Sequence, residues 1–216
     1  MKKIFAIIFT IFLTSSLFAE LPESSDHGSD FQFKFILNEG VSFGQLTRIE
    51  KMSDRSNFVR ENLLIGGFVN FQTVDLYELL DFTVQIAAYY PFYNAFNGMK
   101  QFPKNKLNYA LDTFLGATYT FDKIKYVPID LSLGMHYMYQ LTDEYHMSYL
   151  GLGFLGTPRF PISKNWTIVN NYFFSIDDAN LGGNKKIQPF AISYQYHIDL
   201  GVCFSKRSLN PYSYVK

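Results

Sequence analysis

The reactive side chains of this 216-residue chain fall mostly in one repeating context. Lys34, Arg60, Asp81, Asp112, Asp130, His136, His197 and Asp199 each sit out of phase with the apolar residues around them. Charges and imidazoles gathered on one buried face would form a self-satisfying network, because a buried charge without a partner is too costly to keep. The same set could instead line a narrow polar or proton path. His146 and Ser148, two positions apart, have the types of a base and a nucleophile. That chemistry also needs a carboxylate to orient the imidazole, and no Asp or Glu occurs between Tyr145 and Ile176. His27, beside Asp26 and Asp30, lacks the further ligands a metal site requires. Cys203 is the only cysteine; it excludes an intramolecular disulfide and reads as a small buried thiol. Nothing in these residues calls for a cofactor.

The elements that must carry these groups are set by composition and period. The chain is 48% hydrophobic, 19% aromatic and 18% charged, with net charge zero. A soluble domain carries about 25% charged residues, and a neutral balance gives no reason to expect a nucleic-acid partner. Lys2 and Lys3, the apolar run from Ile4 to Leu13 and a cleavage after Ala19 make residues 1–19 a secretory signal peptide. Residues 20–30 read as a flexible acidic leader, and 205–216 as a periplasmic tail. No later stretch approaches the ~18 apolar residues of a transmembrane helix.

From Phe31 to Phe204 the signal is alternation, the mark of strands with two unlike faces. In the last strand Ile192, Tyr194, Tyr196, Ile198, Leu200, Val202 and Phe204 oppose Gln195, His197, Asp199, Gly201 and Cys203. Comparable segments lie at 31–43, 58–72, 80–92, 107–121 and 127–139, with weaker ones at 145–156 and 166–176. The apolar parity of 145–156 switches after Tyr149, which suggests a bulge. Long connections are expected at 45–57, 93–106 and 178–189. Short ones are expected at 73–75, 122–124 and 140–144, with a longer inner turn at 157–164 carrying Pro158 and Pro161. The fold class is all-β: an eight-stranded antiparallel up-and-down barrel over residues 31–204.

Alternation does not say which face is the interior, and a lipocalin-like soluble barrel would turn the apolar face inward. Volume decides against it, since an eight-stranded barrel holds little more than one filling of side chains. The small polar face fits inside; the Phe- and Tyr-rich face does not. Segments of ~12–15 residues exceed the ~5–6 of ordinary strands and suit a tilted bilayer crossing. Tyr90, Phe92, Tyr109, Tyr137, Tyr139, Tyr145 and Tyr194 then mark an outer girdle, and Phe71, Tyr119, Phe121, Trp166 and Phe204 an inner one. Glu39 and Glu61 break the lipid-facing pattern, and their similar distance from the first loop makes them neighbours on a hairpin above the hydrocarbon. Closure between first and last strands is expected to join Lys34 and Asp199 as an ion pair or through one shared mediator.

With these features on the page, the chain resembles the small eight-stranded outer-membrane barrels of the OmpA-domain, OmpX and OmpW type. The resemblance is architectural and covers about 85% of the sequence. Asp199, Gly201 and Phe204 resemble the terminal signal by which such barrels engage the outer-membrane insertion machinery, although twelve residues follow Phe204. The resemblance implies the outer membrane of a Gram-negative bacterium, with membrane lipid and a lipopolysaccharide-like glycolipid as surroundings. Lys100, Lys104 and Lys106 could meet such anionic groups, and the loops could meet an extracellular ligand. The function expected is a non-enzymatic structural or surface-interaction role; the alternative is a narrow pore for small or apolar solutes, as in OmpW-type barrels. A third reading rests on His146 and Ser148, which resemble part of the lipid A deacylase signature; Tyr149 stands where that family has Asn.

Overall fold

Strands in hydrocarbon need a hydrogen-bonded neighbour on both sides, and only closure removes the two edges. The computed structural model of the chain describes residues 34–51, 57–74, 80–96, 99–100, 106–121, 127–143, 146–162, 166–182 and 192–204, and it is closed. The strands are β1 (Lys34–Lys51), β2 (Asn57–Val74), β3 (Asp81–Phe96), β4 (Met99–Lys100), β5 (Leu107–Phe121), β6 (Ile129–Thr142), β7 (His146–Pro161), β8 (Trp166–Gly182) and β9 (Ile192–Phe204). The wall runs β2-β1-β9-β8-β7-β6-β5-β3, and a β2–β3 pairing shuts the ring. All pairings are antiparallel. The two-residue β4 pairs only with the outer end of β3, so eight long strands make the barrel. No helix among the described residues is long and apolar enough to cross a membrane.

The period-two pattern sorts the side chains as the sequence requires. Phe43, Phe82, Ile86, Leu133, Leu152, Ile198 and Leu200 are exposed on the outside, with Leu152 at 66%. Ser42, Gln85, Asp130 and Asp199 are buried within. The barrel is therefore inside-out relative to a lipocalin.

Several expectations are corrected. The strands run further outward than the apolar residues do: 45–51, 93–96 and 178–182 are strand, because the backbone ladder needs no greasy side chain above the membrane. Residues 157–161 are likewise strand, and the inner turn begins only after Ile162. Thr73 and Val74 belong to β2 rather than to a turn. Glu39 and Glu61 are not neighbours. Glu39 lies opposite Val69 and Glu61 opposite Thr47, so the two are eight residues apart along β1, about 26 Å. The parity switch of 145–156 is not a break in β7, whose register with β6 is unbroken. Met147 and Tyr149 are lumen residues, fully buried. The irregularity falls between β7 and β8, where Ser148, Tyr149, Leu150 and Gly151 pair with Gly182, Asn180, Ala179 and Asp177. Leu107 is also turned inward, by a register shift before Tyr109. The segments 1–19, 20–30 and 205–216, with Tyr145, Lys104 and His27, lie outside the described residues, as do the side chains of Cys203 and Phe204.

Candidate functional site

Inward-facing residues of eight strands converge on the lumen, and their register stacks them in three layers. The inner layer is organised by Arg159 of β7. Its Nε lies 2.5 Å from Asp130 Oδ2, its Nη1 donates to Asn38 Oδ1 at 3.0 Å and its Nη2 to Gln72 Oε1 at 2.6 Å. Asp130 also accepts from Thr120 at 2.8 Å. One guanidinium thus ties β1, β2, β6 and β7 together, a use of its fixed fork of donors. Asn38 continues the net to Asn70 at 2.9 Å, and Asn70 to Gln85 at 3.3 Å.

The middle layer carries the imidazoles. His136 Nε2 is 2.6 Å from Asp112 Oδ1, and its Nδ1 is 2.7 Å from Asp177 Oδ1. A neutral imidazole has one N–H, so the two contacts together require a further proton, on the ring or on a carboxyl. Gln195 donates to Asp112 Oδ2 at 2.6 Å. His197 Nδ1 is 2.7 Å from Asp199 Oδ1, while its Nε2 stands 3.8 Å from Asp112 Oδ2, beyond hydrogen-bonding range. Asp199 Oδ2 accepts from Gln85 at 3.1 Å and Asn171 at 3.3 Å. Phe173 stacks on His197 at 4.5 Å, and Phe114 meets Phe173 edge-on at 5.6 Å.

The outer layer mixes apolar side chains with the buried polar groups of Arg48, Arg60, Asn62 and Gln140. Leu46, Leu64, Leu107, Met138, Met147 and Tyr149 pack together without solvent exposure of note. Arg48 Nη1 donates to Tyr149 Oη at 3.4 Å and lies 3.9 Å from Met147 Sδ. Polar groups therefore continue to the outer end of the lumen, where Asn62 donates to Asn94 at 2.6 Å. The lumen is filled.

Of the residues expected in the lumen, Asp112, Asp130, His136, His197 and Asp199 are together in these nets. Arg60 is inside but apart, at the outer end over the Phe96 ring at 5.1 Å. Asp81 sits at the inner rim, where Thr73 donates to it at 3.3 Å. The Lys34 side chain, expected to pair with Asp199, lies outside the described residues. The Lys34 backbone pairs with Val74, whereas Asp199 lies opposite Ser42, eight residues further along β1 and about 26 Å away. Gly201 faces Gly40 across the β1–β9 seam, and a Cβ on Gly201 would run into the Glu39 carbonyl oxygen. Sequence reasoning missed Arg159, Asp177 and Asn171, and it placed Gln85 and Gln195 on the inward face without reading them as partners of the carboxylates. The inward parity of β7 below Phe154 would have found Arg159 had Pro158 not suggested a turn.

His146 and Ser148 point outward at the outer end of β7. The His146 ring stacks on Tyr139 at 6.0 Å, and Ser148 Oγ accepts from Tyr137 at 3.1 Å. Asp143 is engaged by Asn108 at 2.9 Å. Among the described residues no hydrogen bond joins His146 to Ser148. No group of three or more His, Cys, Asp or Glu among the described residues could hold a metal.

A closed ring of eight antiparallel strands, polar within and apolar without, defines a small outer-membrane type of β-barrel. The solved structures bear this out at the level of fold. Neisserial surface protein A matches with a TM-score of 0.57 and 12% identity, over 80% of this chain and 97% of that one. The attachment invasion locus protein Ail of Yersinia pestis matches at 0.40 and 13%, over 77% and 98%. A major outer membrane protein of Thermus thermophilus matches at 0.44 and 14%, over 77% and 98%. The fold comparison stands on the Neisserial barrel. No family model matches the sequence, and no curated protein matches it.

Proposed function

We propose that the protein is an integral outer-membrane barrel with a sealed lumen, serving a structural or surface-interaction role through its outer hairpins and loops, without catalysis. The observation that carries this reading is the filled interior. Arg159 fixes one end, the imidazole–carboxylate net occupies the middle, and Leu46, Leu64, Met138 and Met147, interleaved with Arg48, Asn62 and Gln140, close the other. The β1–β2 hairpin supports it, since β1 continues as strand through residues 45–51. The Neisserial protein of the same fold is named a surface protein. A signal peptide at 1–19, engagement of the insertion machinery through the last strand and contact with an anionic glycolipid at the outer rim belong to the same proposal.

Planar-bilayer recording of the purified full chain tests the sealed lumen against the pore. The expected result is no unitary conductance at any polarity. Current steps abolished by a disulfide across the lumen would favour the narrow pore instead. Hydrolysis of lipid A by the wild type, lost in Ser148→Ala, would revive the enzymatic reading; the separation of His146 from Ser148 leads us to expect none.

A further inference from the structure

A neutral imidazole carries one N–H, so it can donate to one carboxylate and no more. His136 stands between two. Its Nε2 lies 2.6 Å from Asp112 Oδ1 and its Nδ1 2.7 Å from Asp177 Oδ1. His136 and Asp177 are shut off from solvent and Asp112 is 3% exposed, so bulk water cannot take over either contact. Without a further proton, one contact would set a ring lone pair against a carboxylate oxygen at hydrogen-bonding distance, in a low-dielectric interior.

The bridge is built into the wall. Asp112 comes from β5, His136 from β6 and Asp177 from β8, so it reaches across β7. Gly151 of β7 lies opposite both His136 and Asp177, and a Cβ there would run into Asp177 Oδ1. The missing side chain is what lets the imidazole reach the far carboxylate. The remaining carboxyl oxygens are held as well: Gln195 donates to Asp112 Oδ2 at 2.6 Å and Ser175 to Asp177 Oδ2 at 3.2 Å. The titratable groups that face the bridge are His197 and Asp199 of β9, and Tyr89 of β3, whose ring lies 5.6 Å from that of His197. His197 needs no added proton, because the single N–H of its neutral ring serves Asp199 at 2.7 Å. The guanidiniums of Arg48 and Arg159 are engaged in the outer and inner layers.

We infer that closing the barrel captures one proton, held across the lumen by Asp112, His136 and Asp177, and that the finished barrel is therefore tightened by acid and loosened by alkali. Whether the proton rests on the ring or on a carboxyl makes no difference to the count. In the unfolded chain at about pH 8 an imidazole is neutral and both carboxylates are ionised, so the folded chain holds one proton more. Stability changes with pH as the protons bound by the unfolded chain minus those bound by the folded one. That difference is minus one here, so the unfolding constant rises about tenfold for each unit of added pH. Below about pH 6.5 the unfolded imidazole carries its own proton, and the slope vanishes. A filled lumen, as proposed above, does not by itself require this proton; the bridge does.

The test refolds the full chain from urea into phosphatidylcholine vesicles, in weak buffer at about pH 8, and reads the protons taken up per chain with an indicator dye. Heat-modifiable gel migration first establishes insertion, so failure of the membrane reading is seen separately. The wild type should take up one proton more than Asp177→Asn or Asp112→Asn. Either carboxamide can donate to the ring and leave a neutral imidazole with both contacts made. Asp143→Asn, at the outer rim, should match the wild type. Because the count is a difference between chains, protons taken up elsewhere cancel. Equal uptake by the wild type and an inserted carboxamide variant would overturn the inference. Should neither variant insert, the wild type alone gives a second reading. Its urea unfolding constant should rise about tenfold from about pH 7.5 to about pH 8.5, and a flat constant over that range would equally overturn it.

Discussion

A single guanidinium shows how the interior holds its charges. Arg159 satisfies Asp130, Asn38 and Gln72 at once, all of them buried, so its removal strands a carboxylate in a low-dielectric core. Arg159→Met should cost about 3–5 kcal/mol, the range for breaking a buried pair from one side. Adding Asp130→Leu to the same chain should return a large part of that loss, because both desolvation terms then vanish together. Urea unfolding of the vesicle-inserted barrel reads both, and a double variant no better than the single would refute the pairing. At this scale the sequence was half legible. Asp112, Asp130, His136, His197 and Asp199 announced themselves as polar residues at inward parity. Their partners did not, since Asn171, Gln85 and Gln195 look like any strand amide until register brings three strands to one carboxylate. The matching heights expected of Lys34 and Asp199 failed for the same reason: closure of first to last strand is foreseeable, but the offset of that closure is not.

Among the elements, the glycine row across the wall decides how aromatic rings fit inside. Gly116, Gly134 and Gly153 lie side by side on β5, β6 and β7, all inward. A Cβ on Gly153 would stand 2.8 Å from a Phe114 ring carbon, but one on Gly134 would collide with the Leu115 carbonyl oxygen. Gly153→Ala should therefore cost about 1–3 kcal/mol of overpacking and be largely relieved by Phe114→Ala, a coupling visible in a double-mutant cycle. Gly134→Ala meets backbone, and no side-chain truncation should relieve it. The lipid face gives a complementary expectation. Leu133, 64% exposed, stands in the belt; Leu133→Arg should cost about 2–4 kcal/mol, while Phe92→Arg near the outer rim should cost under about 1 kcal/mol. Equal costs at the two depths would contradict the membrane embedding. Strand positions were readable from period two almost throughout. Met147 and Tyr149 misled because an apolar side chain inside the lumen imitates a reversal of the strand. Leu107 misled because a shifted pairing turned its side without changing its type.

For the whole molecule, the inside-out choice followed from volume before any coordinates, and the exposed Phe82 and Ile198 against the buried Asp130 and Asp199 agree with it. What composition could not give is the apolar part of the outer layer, because Leu46 and Leu64 look like lipid-facing residues until parity is counted from the correct end of each strand. The closing seam has a consequence for how such a molecule comes to exist. Its two joined margins, β1 and β9, belong to opposite ends of the barrel chain, and β9 also delivers Gln195, His197 and Asp199 to the central net. Until the thirteen residues of β9 arrive, the growing sheet has two raw borders and Asp112 lacks a donor. A chain ending at Gly182 should yield no heat-modifiable band after refolding into vesicles. Synthesis thus keeps both the hoop and its internal bracing unfinished to the last, so an interrupted copy is one the membrane never admits.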